Sequence, residues 1–251
     1  MLTADVDAPS LPLLWSAGGS RLFRSGVGEP GVRERFDPWT LQWMRNTPTP
    51  EDSPSDDSTH ADLVPADLEP IGGLSLALRY VFTAAGARRV PVGVIGPREA
   101  SDEEYALAET LGRLMAQHGL QLICGGKGGV MEGVCKGHLE AGGAPIGMLP
   151  DEEWRRSNPY VAIPIATGIG PARNAILARA SIVLVAVGGG YGTLTEMAYG
   201  LHFGRPVLTL GQAPFVDGAT ACATPAEVIA RVARHLLEEP SGCRLTGPLA
   251  D

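Results

Sequence analysis

From residue 71 onward the sequence predicts an α/β fold, a Rossmann-like doubly wound parallel sheet with helices on both faces. Three observations predict it. Strand-like and helix-like segments alternate, and the strand segments are almost wholly apolar, as strands covered on both faces must be. Glycines at Gly96, Gly125 to Gly129 and Gly188 to Gly192 each fall directly after such a strand, where a doubly wound sheet opens its ligand crevice.

The elements follow in order. A helix begins near Leu74 and runs through Ala77 and Tyr80. Val90 to Ile95 is a β-branched run ended by Gly96-Pro97. Ser101 and Glu104 have capping-box spacing ahead of a helix whose stripe is Leu107, Leu111 and Leu114. Leu120 to Cys124 is the next strand, followed by the Gly125 loop and a helix over Val130 to Ala141 that Gly142-Gly143 stops. Ala144 to Leu149 and Tyr160 to Ile165 read as strands, and Pro171 starts a helix. Ser181 to Val187 is the most strand-like run of the chain, and the helix after it opens near Gly192. A strand at Pro206 to Leu210 and a helix from Thr224 to Glu238, capped by Thr224 and Glu227, complete the series.

Charge divides the 251 residues into three parts. Residues 46–70 hold seven acids, five prolines and no Lys or Arg, a composition that cannot offset its ordering entropy and reads as an acidic linker. Residues 1–45 carry five acids and five arginines, and residues 71–251 carry 16 acids against 15 bases. Of the net charge of -8, -7 therefore belongs to the linker, and no basic nucleic-acid footprint is present. Residues 1–45 hold Trp15, Trp39 and Trp43 with Phe23 and Phe36, too little for a core of their own. They read as an arm that docks on the main domain, on a neighbouring subunit or on another protein. Cys124, Cys135, Cys222 and Cys243 lack metal or redox spacing and read as reduced, mostly buried thiols. Without a signal segment or an apolar run of about 18 residues, the expectation is a cytoplasmic protein with no membrane and no metal site.

The chemistry concentrates in the glycines. Gly188-Gly-Gly-Tyr-Gly-Thr193 joins a buried strand to a helix, where a close-approaching backbone and unpaired N–H groups suit a phosphate or another small oxyanion. The Gly125 loop has the same placement and adds Lys127, a point charge suited to further phosphate oxygens. Neither loop fits the dinucleotide or Walker A pattern, since Lys127 is followed by Gly128. Glu196 follows Thr193 at capping-box spacing, so by itself it reads as a cap. Arg173 lies in the first turn of a helix, the unfavourable end of the dipole for a cation, so a negative partner is expected. Glu196 and a ligand phosphate are both candidates. His118, His138 and His202 read as exposed or capping, Met131 as core, Glu132 as a helix-start acid, and Tyr191 as a loop spacer or a lid over a planar ring.

Together, Gly125-Gly-Lys-Gly-Gly-Val-Met-Glu132, Ala172-Arg-Asn174 and Gly188-Gly-Gly-Tyr-Gly-Thr-Leu-Thr-Glu196 resemble the Lonely Guy superfamily, once labelled lysine decarboxylase-like. Gly93 to Pro97 and Asn158-Pro-Tyr160 make the branch containing the molybdenum cofactor carrier proteins the closer match. The resemblance covers about residues 90–240. It implies a pocket lined by Gly96, Pro97, Gly125, Gly126, Lys127, Gly128, Gly129, Asn174, Gly189, Gly190, Tyr191, Gly192 and Thr193. It also implies a dimer or larger assembly. In Lonely Guy enzymes such a site cleaves nucleoside 5'-monophosphates to free base and ribose 5-phosphate, and Arg173 and Glu196 take the places of the catalytic pair. Two departures distinguish this chain: Gly188 replaces the motif proline, and Asn174 replaces the lysine of an Arg-Lys pair. The carrier branch shares both and implies a bound phosphorylated pterin, the molybdenum cofactor, rather than turnover. No cofactor is required on either reading. The resulting expectation is a binding protein for a phosphorylated nucleotide-like or pterin ligand, with a phosphoribohydrolase (an N-glycosidic hydrolase) and a nucleotide-signal sensor as alternatives.

Overall fold

The structure, a computed structural model, describes residues 6–10, 12–16, 21–25, 33–45 and 68–238, which divide into two compact units. The first unit takes residues up to 88 and those from 233. Its strands β1 (Leu13–Ser16), β2 (Arg21–Ser25), β3 (Arg33–Asp37), β4 (Gln42–Arg45) and β5 (Leu68–Pro70) form an antiparallel sheet of order β4-β3-β2-β1-β5. Helix α1 (Leu74–Thr83) buries Leu74, Ala77, Leu78, Val81 and Phe82, and its Tyr80 stacks on Trp15 with centroids 5.0 Å apart. Trp43 meets Phe36 edge-on and lies under the Arg24 guanidinium, which Glu34 holds at 2.7 Å.

This unit corrects the expectation of an arm. Leu13, Trp15, Leu22, Phe23 and Phe36 are buried in a sheet whose core is completed by α1, and residues 71–88 group with it rather than with the parallel sheet. Leu68–Pro70, placed in the acidic linker by composition, pairs with β1. The remainder of that linker, 46–67, lies outside the described residues, as does Cys243.

The second unit, residues 89–232, holds the parallel sheet. In chain order come β6 (Pro91–Ile95), α2 (Asp102–Gln117), β7 (Gln121–Cys124), α3 (Val130–Glu140), β8 (Ile146–Leu149), β9 (Ile163–Ala166), α4 (Arg173–Ala180), β10 (Leu184–Val187), α5 (Tyr191–His202), β11 (Val207–Leu210), β12 (Thr220–Cys222) and α6 (Pro225–Leu237), the last continuing into the first unit. The strand order is β12-β11-β10-β6-β7-β8-β9, every pair parallel. Chain order reverses between β6 and β10, so the ligand crevice of such a sheet belongs at their carboxyl ends. Ile95, Ile123, Leu184, Ala186, Met197 and Val207 meet in its core.

Ser101 and Glu104 close the predicted capping box on α2; at α6 the Thr224 hydroxyl accepts from the Glu227 N–H, while the Glu227 carboxylate reaches one residue further back, to the Ala223 N–H. Helices α2 and α3 approach so closely that a Cβ on Gly137 would lie 1.9 Å from the Glu109 carbonyl oxygen. His138, expected on an exposed or capping position, is instead buried at 1% exposure beside Gly143, with Nε2 3.0 Å from the Leu120 carbonyl. Burial depresses its pKa. His118 does sit at the C-cap of α2, its Nδ1 2.7 Å from the Leu114 carbonyl.

Candidate functional site

At the β6–β10 switch the glycine that ends each strand stands where a side chain would clash. After β6, a Cβ on Gly96 would stand 2.5 Å from Val130 and 2.6 Å from the Val187 carbonyl, so glycine lets two strand ends and α3 converge. After β10, Gly188 has φ +59°, a left-handed conformation closed to proline, and Glu104 fills the space where its Cβ would be. The departure at the motif proline is thus a change of backbone as well as of side chain. Gly190 is the N-cap of α5 and supplies no capping side chain, which leaves first-turn N–H groups for another acceptor.

Arg173 opens α4 behind a 3-10 turn over Gly170–Ala172. Only 5% exposed, it passes beside Gly125, where a Cβ would lie 2.3 Å from its Nη2. Gly125 thus makes room for the guanidinium. Its Nη1 donates to Glu196 Oε1 at 2.9 Å, and its Nε is buried with no hydrogen-bond partner among the described residues. Of the two partners open for Arg173 from sequence, this geometry supplies Glu196. It also overturns the capping role of Glu196: α5 starts at Tyr191, so Thr193 is already inside the helix and caps nothing. Burial pushes the Glu196 carboxyl up to about 7, outweighing the opposing charge and hydrogen bond of Arg173.

A cleft of about 360 Å³ lies over this pair, a size at the lower end of small-molecule sites. Gly96, Pro97, Asn174, Gly190, Gly192 and Thr193 line it with Arg173 and Glu196. The other expected positions stand elsewhere. Gly125 and Gly126 lie beneath, the Gly126 N–H donating to Cys124 Sγ at 3.3 Å, and Gly129 is the N-cap of α3. Gly128 and Gly189 do not line the cleft, and Tyr191 is 91% exposed at the start of α5. The Lys127 ammonium is held at 2.8 Å by both Asp151 and the Arg156 carbonyl, while Asn158 bonds the Lys127 carbonyl. Those bonds occupy the charge that sequence offered to a phosphate.

The lining also contains Arg98, Met131, Pro150 and Pro171, which sequence did not assign to a site. Arg98 could have been found as the cation following the β6 loop. Pro150 and Met131 gave no signal, since a proline after a strand and a methionine in a helix are ordinary. Behind the cleft, Cys124 and Cys135 sit 3.4 Å apart, and their contact together with burial raises the Cys135 thiol pKa far above the usual range. Cys124, Cys135 and Cys222 are free, buried thiols. Among the described residues no cluster of three or more His, Cys, Asp or Glu could hold a metal ion, and no helix is long and apolar enough to cross a membrane.

Sheet order and cleft define a doubly wound α/β protein with a crevice at its switch point. Residues 89–234 match the SLOG cluster4 family, and the chain belongs to that family, within the Lonely Guy and molybdenum cofactor carrier-like superfamily. An uncharacterized protein of Archaeoglobus fulgidus is 41% identical over 138 residues, 55% of this chain and 91% of that protein. The molybdenum cofactor carrier protein of Chlamydomonas reinhardtii is 39% identical with a TM-score of 0.55, over 60% of this chain and 99% of that one. The molybdenum cofactor binding protein of Rippkaea orientalis is 33% identical at the same TM-score, over 58% and 96%.

Proposed function

We propose that the protein binds, rather than turns over, a small phosphorylated ligand in the β6–β10 cleft, with the molybdenum cofactor as its cargo. The observation that carries this reading is Arg173: a guanidinium 5% exposed, with an orphaned Nε, beneath a cleft at the switch point. A buried polar group without a partner is costly, and an anionic ligand would supply one. The residues present fit such cargo. Pro97, Pro150, Pro171 and Met131 give flat apolar walls for a ring, while the uncapped start of α5 and Arg98 give donors for a phosphate. The solved relatives that bind or carry the molybdenum cofactor support this choice.

One observation favours the hydrolytic alternative. Glu196 with a pKa raised to about 7 is poised near neutral pH, as a general acid or base would be. Its hydrogen bond to Arg173 weighs against that role, because it holds the carboxylate as an ion-pair partner. Incubation with a panel of nucleoside monophosphates separates the two. Saturable heat of binding without free base supports carriage; base release abolished by Glu196→Gln would establish hydrolysis. The protein is expected to work as a dimer or larger, which its sedimentation would test.

A further inference from the structure

We infer an oxidation site in the second unit: a small peroxide joins Cys124 and Cys135 in a disulfide beneath the β6–β10 cleft, and this bond weakens anion binding there. The second clause rests on the anion-binding reading of the cleft; the first stands without it. Cys124 ends β7 and Cys135 lies in the second turn of α3, yet their Sγ atoms are 3.4 Å apart and both residues are fully buried. A disulfide S–S bond is about 2.05 Å long, so closure asks for about 1.4 Å of travel, shared between a strand end and a helix. No sequence motif marks the pair, because it forms only when α3 packs on β7.

Cys124 differs from an inert core thiol. Burial pushes the Cys222 thiol up to about 11, as apolar surroundings do. Cys124, more deeply buried, is lowered instead, by the Cys135 S–H aimed at it, the Gly126 N–H at 3.3 Å and the charge of Arg173. Its thiolate is therefore the nucleophile. It attacks one peroxide oxygen, the O–O bond breaks, and hydroxide leaves, taking up the proton that Cys124 released. The Cys135 sulfur then attacks the Cys124 sulfenic acid: the S–S bond forms, the S–O bond breaks, and the Cys135 proton departs with that oxygen as the second water. Each sulfur loses one electron and the peroxide gains both. Peroxide reaches the pair from the cleft, past Met131, which lines it and whose carbonyl lies 3.9 Å from Cys124 Sγ. Gly125 couples the bond to binding, since a Cβ there would stand 2.3 Å from Arg173 Nη2 and 2.7 Å from Met131 Sδ. Drawing Cys124 toward α3 moves backbone that is packed against the guanidinium.

The test is treatment of the full chain with hydrogen peroxide, alkylation after denaturation, and mass spectrometry of tryptic peptides. Peptide 114–127 is expected to be linked to peptide 128–136. Calorimetry with phenyl sulfate should show binding weakened about tenfold in the oxidised protein. Dithiothreitol should restore it, which separates the disulfide from methionine sulfoxide at Met131. Cys135→Ala should bind the probe as the reduced parent does, yield no linked pair, and leave Cys124 as a sulfenic acid that dimedone traps. The peptide map of the parent needs no variant, so the claim stays testable if Cys135→Ala misfolds. Cys124 and Cys135 both alkylated after treatment overturns the site, and a mapped disulfide with unchanged phenyl sulfate affinity overturns its control of the cleft. Reduced protein that binds no phenyl sulfate refutes the cleft reading instead, and the peptide map still decides the oxidation site.

Discussion

Replacing Glu196 by Gln isolates the energetics on which the cleft depends. The carboxyl sits at 6% exposure with Arg173 2.9 Å away, and its pKa is raised from 4.5 to about 7. A raised acid pKa means that the native state holds its proton more tightly than the unfolded chain. Between pH 4.5 and 7 the native protein therefore binds more protons, and stability falls as pH rises through this window. The penalty is complete above pH 7 and amounts to about 3 kcal/mol, from about 2.5 pH units at 1.36 kcal/mol each. Glutamine mimics the protonated acid. The variant is thus expected to match the parent at pH 4 and to exceed it at pH 8 by up to about 3 kcal/mol, read from urea melts of both proteins at each pH. Loss of an ion-pair partner predicts the reverse, a cost of about 3–5 kcal/mol from an uncompensated buried cation. If Glu196→Gln is destabilised by that much at pH 8, the attraction of Arg173 outweighs burial and the reasoning is refuted.

Three further outcomes follow from the same geometry. Phenyl sulfate, whose charge is constant near neutrality, should bind about tenfold more weakly at pH 8 than at pH 6, because only the form with Glu196 protonated frees Arg173; Glu196→Gln should flatten that titration. Gly125→Ala sets a Cβ 2.3 Å from Arg173 Nη2 and should cost at least tenfold in anion affinity by calorimetry while the fold, followed by circular dichroism, persists. Gly137→Ala presses on the Glu109 backbone at 1.9 Å, so a loss of about 1–3 kcal/mol in denaturant stability is expected with no direct effect on the cleft.

The parallel sheet was legible because its strands carry their own signal. Leu184–Val187 is apolar at every position and fully buried, and glycine marks the end of both switch strands. Arg173 was legible as a cation at the wrong end of a helix. What escaped depends on distance in the chain. Asp151 takes Lys127 from 24 residues away, and no local pattern announces it. Glu196 read as a cap because spacing cannot fix whether a helix begins at Tyr191 or two residues later. The first unit escaped for a similar reason: strands of four or five residues such as Arg21–Ser25 carry one to three apolar side chains, and only pairing with their neighbours and with α1 makes them a core. Strand β12, three residues with one buried, is set by its neighbour β11 rather than by its own sequence.

The claim that the cleft carries a phosphorylated pterin is tested most directly by native mass spectrometry of the protein purified from cells that make the molybdenum cofactor. The parent is expected to retain one phosphorylated pterin per chain and Arg173→Ala to emerge empty. A parent without ligand, or a pterin retained equally by Arg173→Ala, would contradict it.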